Sequence, residues 1–164
     1  MKQIIIIGLM LLAFSVGSIA QDEKANIIQQ AIDTKNYVFT AQTATPQRGR
    51  LRQLTSEYDL IVRPDTAVAF LPYFGRAYVA PIDPTEGGIK FTSSDFDYFV
   101  KKGKKNQWQI NITPKDVSSS DVRELYLEVF DNGRASLRVN SNNRQSISFD
   151  GYVKEGKPLE KKAF

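Results

Sequence analysis

Histidine and cysteine are both absent from the 164 residues. Without them no Ser-His-Asp or Cys-His relay can be assembled, and a zinc site of the common types has no ligands. The lack of cysteine also removes disulfides and any thiol that could carry a lipid, so the chain is not a lipoprotein. Nor is charge of one sign concentrated. The net charge of +4 is spread along the chain, with one local cluster at Lys154, Lys157, Lys161 and Lys162. Mild, dispersed basicity of this kind describes a solvated surface, not a nucleic-acid footprint. No nucleic-acid partner, metal or cofactor is expected. Chemistry based on carboxylates, Lys, Tyr or Ser alone is left open, but no nucleophile signature accompanies it, and a non-enzymatic protein is expected.

One long apolar run is present. Lys2 precedes an apolar stretch from Ile4 to Phe14, Ser18-Ile19-Ala20 offers small residues for cleavage, and Gln21-Asp22 begins a polar chain. Residues 1–20 read as a secretory signal peptide, too short and wrongly flanked for a stable membrane anchor. The expected location is therefore outside the cytoplasm, in the periplasm or beyond it, with no membrane span after cleavage. Residues 21–153 form one domain, large enough to bury a core without disulfides. Residues 154–164 are charged, carry Gly156 and Pro158, and read as a flexible tail.

Asp22 to Lys35 predicts a helix, with Ile27, Ile28, Ala31 and Ile32 on one stripe. After Asn36 the period changes to two. Tyr37, Phe39 and Ala41 alternate with Val38, Thr40 and Gln42; then come Tyr58 to Val62, Ala67 to Leu71, a short candidate at Arg76 to Val79, Ile89 to Thr92 and Phe96 to Lys101. The last third alternates most cleanly. Trp108, Ile110 and Ile112 form one apolar row, followed by Leu125, Leu127 and Val129 within Val122 to Phe130, then Ala135, Leu137 and Val139, then Ile147 and Phe149. Asp131-Asn132-Gly133-Arg134 predicts a type I′ hairpin turn, in which Asn and Gly both take positive φ. Short connections and period-two alternation predict a mainly β protein: a helix, then an antiparallel meander curled into a partly open barrel. The alternative is an α+β fold of the cystatin-like kind, a curved sheet with the helix on its concave side.

The stretches LTSEYDLIVRPDTAVAFLPYFGRAYVAPIDPTEGGIKF and NGRASLRVNSNNRQSISFDGYV resemble the DUF4251 family of exported Bacteroidota proteins of unknown function. The resemblance runs from Tyr37 to Val153. Its most specific parts are Leu71-Pro72-Tyr73-Phe74-Gly75-Arg76, Asn132-Gly133 and Asn143-Arg144-Gln145. It implies an envelope location and a lipocalin-like antiparallel barrel. It implies no activity, so it brings no catalytic residues.

Three candidate sites follow from the residues themselves. Tyr73 and Phe74 offer an aromatic platform, and Arg76 a planar fork of donors for a carboxylate, phosphate or sugar. The structural reading of the same stretch is a strand corner, with Pro72 at an edge and Gly75 at a bulge. Arg48, Arg50 and Arg52 share one face if the segment is extended. They then make an anion or partner surface, or only a charged edge strand. Thr66, in Asp65-Thr66-Ala67, matches a short O-glycosylation acceptor pattern. Asp95, Asp97, Asp116 and Asp121 offer paired carboxylates, which glycoside hydrolysis needs about 5–10 Å apart across a cleft; acids beside turns are more simply solvated. Trp108 reads as core.

Two functions of different kinds remain. One is a binding module holding a small amphiphilic or anionic ligand in the barrel. The other is a protein-interaction or envelope-assembly module with a solid core and no pocket. If Thr66 is glycosylated, the intact mass of protein purified from its native host exceeds the sequence mass by a glycan; an unshifted mass ends that assignment.

Overall fold

A computed structural model of the chain describes residues 16–78, 87–103, 107–117 and 121–157. It is a mainly β protein: the described residues form one helix, α1 (Val16–Asp33), and ten strands in one antiparallel sheet. The strands are β1 (Tyr37–Pro46), β2 (Arg52–Gln53), β3 (Asp59–Val62), β4 (Ala67–Leu71), β5 (Ile89–Ser93), β6 (Phe96–Lys102), β7 (Gln107–Pro114), β8 (Val122–Phe130), β9 (Arg134–Ser141) and β10 (Ile147–Glu155). Their order is β5-β4-β3-β1-β10-β9-β8-β7-β6, with β2 added to β1. The sheet is nearly closed into a barrel with one unsealed seam. It is not the flatter sheet of the alternative reading.

The seam follows from the pairing. Every neighbouring pair on the path is antiparallel, so its two ends, β5 and β6, run in the same direction. They are also consecutive, joined only by Ser94 and Asp95. In effect one kinked strand serves both edges: its first half pairs with β4 and its second half with β7. Asp116, from the β7–β8 connection, pins the kink. Its carboxylate accepts from the Ser93 hydroxyl, the Ser94 amide (2.9 Å), the Ser94 hydroxyl (2.9 Å) and the Asp95 amide (3.2 Å). The Ser93 hydroxyl above all, with the Ser94 amide next, holds the Asp116 carboxyl well below the usual carboxylate range.

The inner face is the predicted one. Trp108, Ile110 and Ile112 are buried, as are Leu125, Leu127, Val129, Ala135, Leu137, Val139, Ile147, Phe149 and Val153. Tyr37, Phe39, Leu60, Val62, Ala67, Ala69, Leu71, Ile89 and Phe91 complete the lining. Strand β1 runs further than expected, to Pro46. A bulge between Ala41 and Thr43 shifts its register against β10, so Gln42 and Thr43 fall in succession before inward burial resumes at Ala44. A bulge inserts one residue and bends the strand, and simple alternation does not foresee it.

The helix covers one end of the barrel. Ile28, Ala31 and Ile32 join the core, while Ile27 of the expected stripe is exposed. The helix ends with Lys35 at φ 51°. The Asn36 amide donates to the Ala31 carbonyl (2.8 Å) and the Lys35 amide to the Ile32 carbonyl (3.1 Å), the paired bonds of a Schellman cap. A non-glycine residue is costly at that φ, and Lys35 has compensating contacts: its ammonium lies 5.1 Å from the Tyr98 ring centroid and 5.9 Å from that of Phe96. The Tyr98 hydroxyl donates to the Ile32 carbonyl (3.2 Å) and lies 3.3 Å from the Tyr37 hydroxyl. Burial pushes the Tyr98 phenol up to about 12, and burial raises Tyr37 well above the ordinary tyrosine range.

Two local expectations change. The β8–β9 turn is not type I′: Gly133 has φ 80°, Asn132 does not have positive φ, and the Gly133 amide donates to the Phe130 carbonyl (2.8 Å). This is a three-residue loop, a type I turn closed by glycine in the left-handed region. At the C-terminus, β10 reaches Glu155. The Lys157 carbonyl accepts from Asn36 Nδ2 (3.3 Å) and Arg63 Nη1 (3.0 Å). Residues 154–157 are therefore held, where a flexible tail was expected from 154; residues 158–164 lie outside the described residues. The short strand expected at Arg76 to Val79 is reduced to a single bridge, Ala77 to Arg144, and Val79 also lies outside them.

The Asp116 carboxyl makes a pH prediction. A folded-state value below the unfolded one contributes stability that is present above about pH 4 and lost as pH falls from there. Asp116→Asn should be less stable than the native protein at pH 7, and the gap in urea midpoint should narrow between pH 4 and pH 2.5. An unchanged gap contradicts the role given to Asp116.

Candidate functional site

The stretch Pro72-Tyr73-Phe74-Gly75-Arg76 leaves β4 and folds back onto the β9–β10 connection. The Tyr78 amide donates to the Asn143 carbonyl (2.7 Å), and the Gln145 amide to the Arg76 carbonyl (3.0 Å). Tyr73 is half-buried, and its hydroxyl lies 2.8 Å from the Arg76 carbonyl oxygen and 2.9 Å from that of Gln145. Gly75 is required by this crossing: a Cβ there would sit 2.5 Å from the Tyr73 hydroxyl oxygen. Burial raises the Tyr73 phenol, and Arg144 opposes that shift.

Arg144 is the centre of the cluster. Its Nε reaches both Asp121 carboxylate oxygens (3.0 and 2.9 Å), and its Nη2 also donates to Asp121. Its Nη1 donates to the Gly88 carbonyl (2.9 Å), and its guanidinium stacks 4.9 Å from the Tyr73 ring centroid. The Arg144 and Asp121 side chains are only 16% and 13% exposed. Four separate segments thus meet in one latch: 73–78, Gly88, Asp121 and 143–145. Two of the three motifs that carry the DUF4251 resemblance are its opposing halves. Neither Asp121 nor Arg144 was picked out as a partner in the sequence, since 23 residues separate them.

The predicted site residues divide accordingly. Tyr73 serves the latch. Phe74 is partly exposed, with the Arg52 guanidinium 4.8 Å from its ring centroid. Arg76 uses its backbone carbonyl in the latch, and the residue is exposed. Arg48 lies in a bend at Gln47–Gly49 and only Arg52 lies on a strand, so the extended geometry that would align Arg48, Arg50 and Arg52 is interrupted. Thr66 sits in the β3–β4 turn, donating to Asp65 Oδ1 (3.1 Å). Three of the four candidate carboxylates have partners: Asp97 bridges to Lys115 (2.6 Å), Asp116 holds the β5–β6 kink, and Asp121 takes Arg144.

A second arrangement lies on the outer face. An open cleft of about 330 Å³ crosses β1, β10, β9 and β8, lined by Gln42 and Thr43 at the bulge, Arg134, Ser136, Asp150 and the aromatics Phe130 and Tyr152, over Ala135 and Gly151. Its size is near the lower end of small-ligand sites, about 300–1,000 Å³. The signal for it was in the sequence: Phe130 and Tyr152 are aromatics at outward positions of strands whose other outward residues are mostly polar. Among the described residues no group of His, Cys, Asp or Glu is arranged to hold a metal ion, and no helix is long and apolar enough to cross a membrane.

Comparison with known proteins supports the fold. The model of a domain of unknown function, DUF4251, matches residues 20–153. The crystal structure of a DUF4251 family protein from Bacteroides eggerthii is similar at 13% identity and TM-score 0.58, over 80% of this chain and 87% of that one. No curated protein matches.

Removing one member of a buried, hydrogen-bonded ion pair strands the other. Arg144→Leu should cost about 3–5 kcal/mol in urea unfolding, with Arg144→Lys falling between it and the native protein. Adding Asp121→Asn to Arg144→Leu should restore part of the loss. A loss below about 1 kcal/mol for Arg144→Leu contradicts the latch.

Proposed function

The chain belongs to the DUF4251 family, and from that premise we propose an exported, non-enzymatic binding module that works through its outer surface around a solid core. Export rests on the apolar run of residues 4–14 and the small residues before Gln21. The non-enzymatic reading rests on the missing His and Cys and on the local partners of Asp97, Asp116 and Asp121.

One observation favours the surface over the interior: the inward positions are occupied by large side chains with no exposure, among them Tyr37, Phe39, Leu60, Ile110, Leu125, Leu127, Leu137 and Phe149. Small antiparallel barrels either fill their interior with side chains or leave room for one ligand, and burial this complete supports the first. A small amphiphile inside the barrel would have to displace several of these residues. Opening such a core is costly because interiors are packed to the density of organic crystals.

The test is a titration with dodecanoate followed by methyl NMR. The methyl resonances of Ile110, Leu125, Leu127 and Leu137 should not shift. A saturable shift in these methyls would return the ligand to the barrel interior and overturn the surface reading.

A further inference from the structure

We propose that the outer cleft binds one ring of a neutral glycan, an assignment that rests on the surface-binding reading and gives it a ligand class. The cleft lies on the outer face of β1, β10, β9 and β8, and these strands are consecutive members of the sheet, each paired to its neighbours. Apart from the β1 bulge, their backbone donors and acceptors there are spent in the ladders, so the cleft offers side chains and no strand edge. An extended peptide adding a strand needs a free edge and finds none at this place.

The side chains on offer are of several kinds. Arg134 lies opposite Tyr152, and Asp150 opposite both Thr43 and Ser136. Arg134 and Asp150 are thus diagonal neighbours on one face, within reach of one another. Yet no ion pair or side-chain hydrogen bond joins them or occupies either group among the described residues. The Thr43 hydroxyl is buried beneath the bulge without a hydrogen-bond partner. That atom is closed off from the cleft, so the groups open to a ligand are those of Gln42, Arg134, Ser136 and Asp150.

A neutral polyol matches this set. One carboxylate and one guanidinium cancel, so neither a cation nor an anion is favoured overall. An acidic sugar would face Asp150, and a lipid chain would face the charges. Vicinal hydroxyls both donate and accept. They can donate to Asp150, accept from Arg134 and pair with Ser136 and Gln42. Phe130 and Tyr152 supply apolar ring faces whose negative quadrupole favours the C–H face of a sugar ring.

Amide NMR of the protein titrated with maltotriose, cellotriose and tri-N-acetylchitotriose tests the assignment, with trigalacturonate as the charged comparison. At least one neutral trimer should give saturable shifts at Gln42, Thr43, Ser136, Asp150 and Gly151. Tyr152→Ala and Asp150→Asn should each weaken it at least tenfold, and trigalacturonate should bind more weakly. Tyr126→Ala removes another partly exposed aromatic of β8 outside the cleft, and should leave binding unchanged. Silence in the cleft with all three neutral trimers overturns the proposal, as does equal loss in Tyr126→Ala and Tyr152→Ala, or tighter binding of trigalacturonate. The dodecanoate titration is read on interior methyls, so failure of the surface reading is seen separately from failure of the sugar assignment.

Discussion

The inward row of the sheet has to fill its own barrel. Side chains from β1, β3, β4 and β5 on one side and β7 to β10 on the other meet around a common axis, and the inward members have almost no exposure. Alternate residues of a strand point to opposite faces, so a slip of one residue in any strand would turn its whole apolar set outward. That constraint fixes the register of the pairs. It leaves the outer face free to carry polar and aromatic groups that the fold does not use.

Closure is the difficult step for such a sheet, and it is met by local chemistry. The β5–β6 strand bends at Ser94-Asp95 so that one strand can serve two edges, and Asp116 gathers the donors that the bend releases. At the end covered by the helix, the Tyr37–Tyr98 hydroxyl pair and Lys35 join α1 to β6 and β1. At the β9–β10 loop, Arg144 draws Tyr73, Gly88 and Asp121 together. Each clasp joins segments that ladder pairing alone leaves apart.

The barrel was legible wherever burial alternates without interruption. Val122 to Phe130 was expected as a strand and is one, with Leu125, Leu127 and Val129 inward; the rows of Trp108 and of Leu137 follow suit. What alternation cannot reveal is a bond between distant polar groups. Tyr73 meets Gln145 across 72 positions, and nothing in the periodicity of either segment announces it. The Tyr73-Phe74-Gly75-Arg76 stretch is special in composition, and the chain does turn there, with Gly75 in a bend and not at a bulge; the partner that explains Tyr73 lies in another motif. The β1 bulge was hidden for a related reason. An inserted residue breaks the period at Gln42-Thr43, so alternation ends the strand there although it runs on to Pro46. Arg48 and Arg50 align only in an extended chain, and a bend removes that premise. The outward aromatics Phe130 and Tyr152 are a signal in the sequence, but only the strand register brings them to one cleft with Gln42, Arg134 and Asp150.

The surface reading and the sugar assignment both presume that the barrel has no vacancy. Xenon enters dry apolar cavities and leaves packed interiors alone, which makes it the most direct probe of that claim. Under xenon pressure the methyl spectrum should show no saturable shifts at Ile110, Ile112, Leu125, Leu127 or Leu137. Saturable xenon shifts at these methyls would reveal an interior cavity and contradict the account.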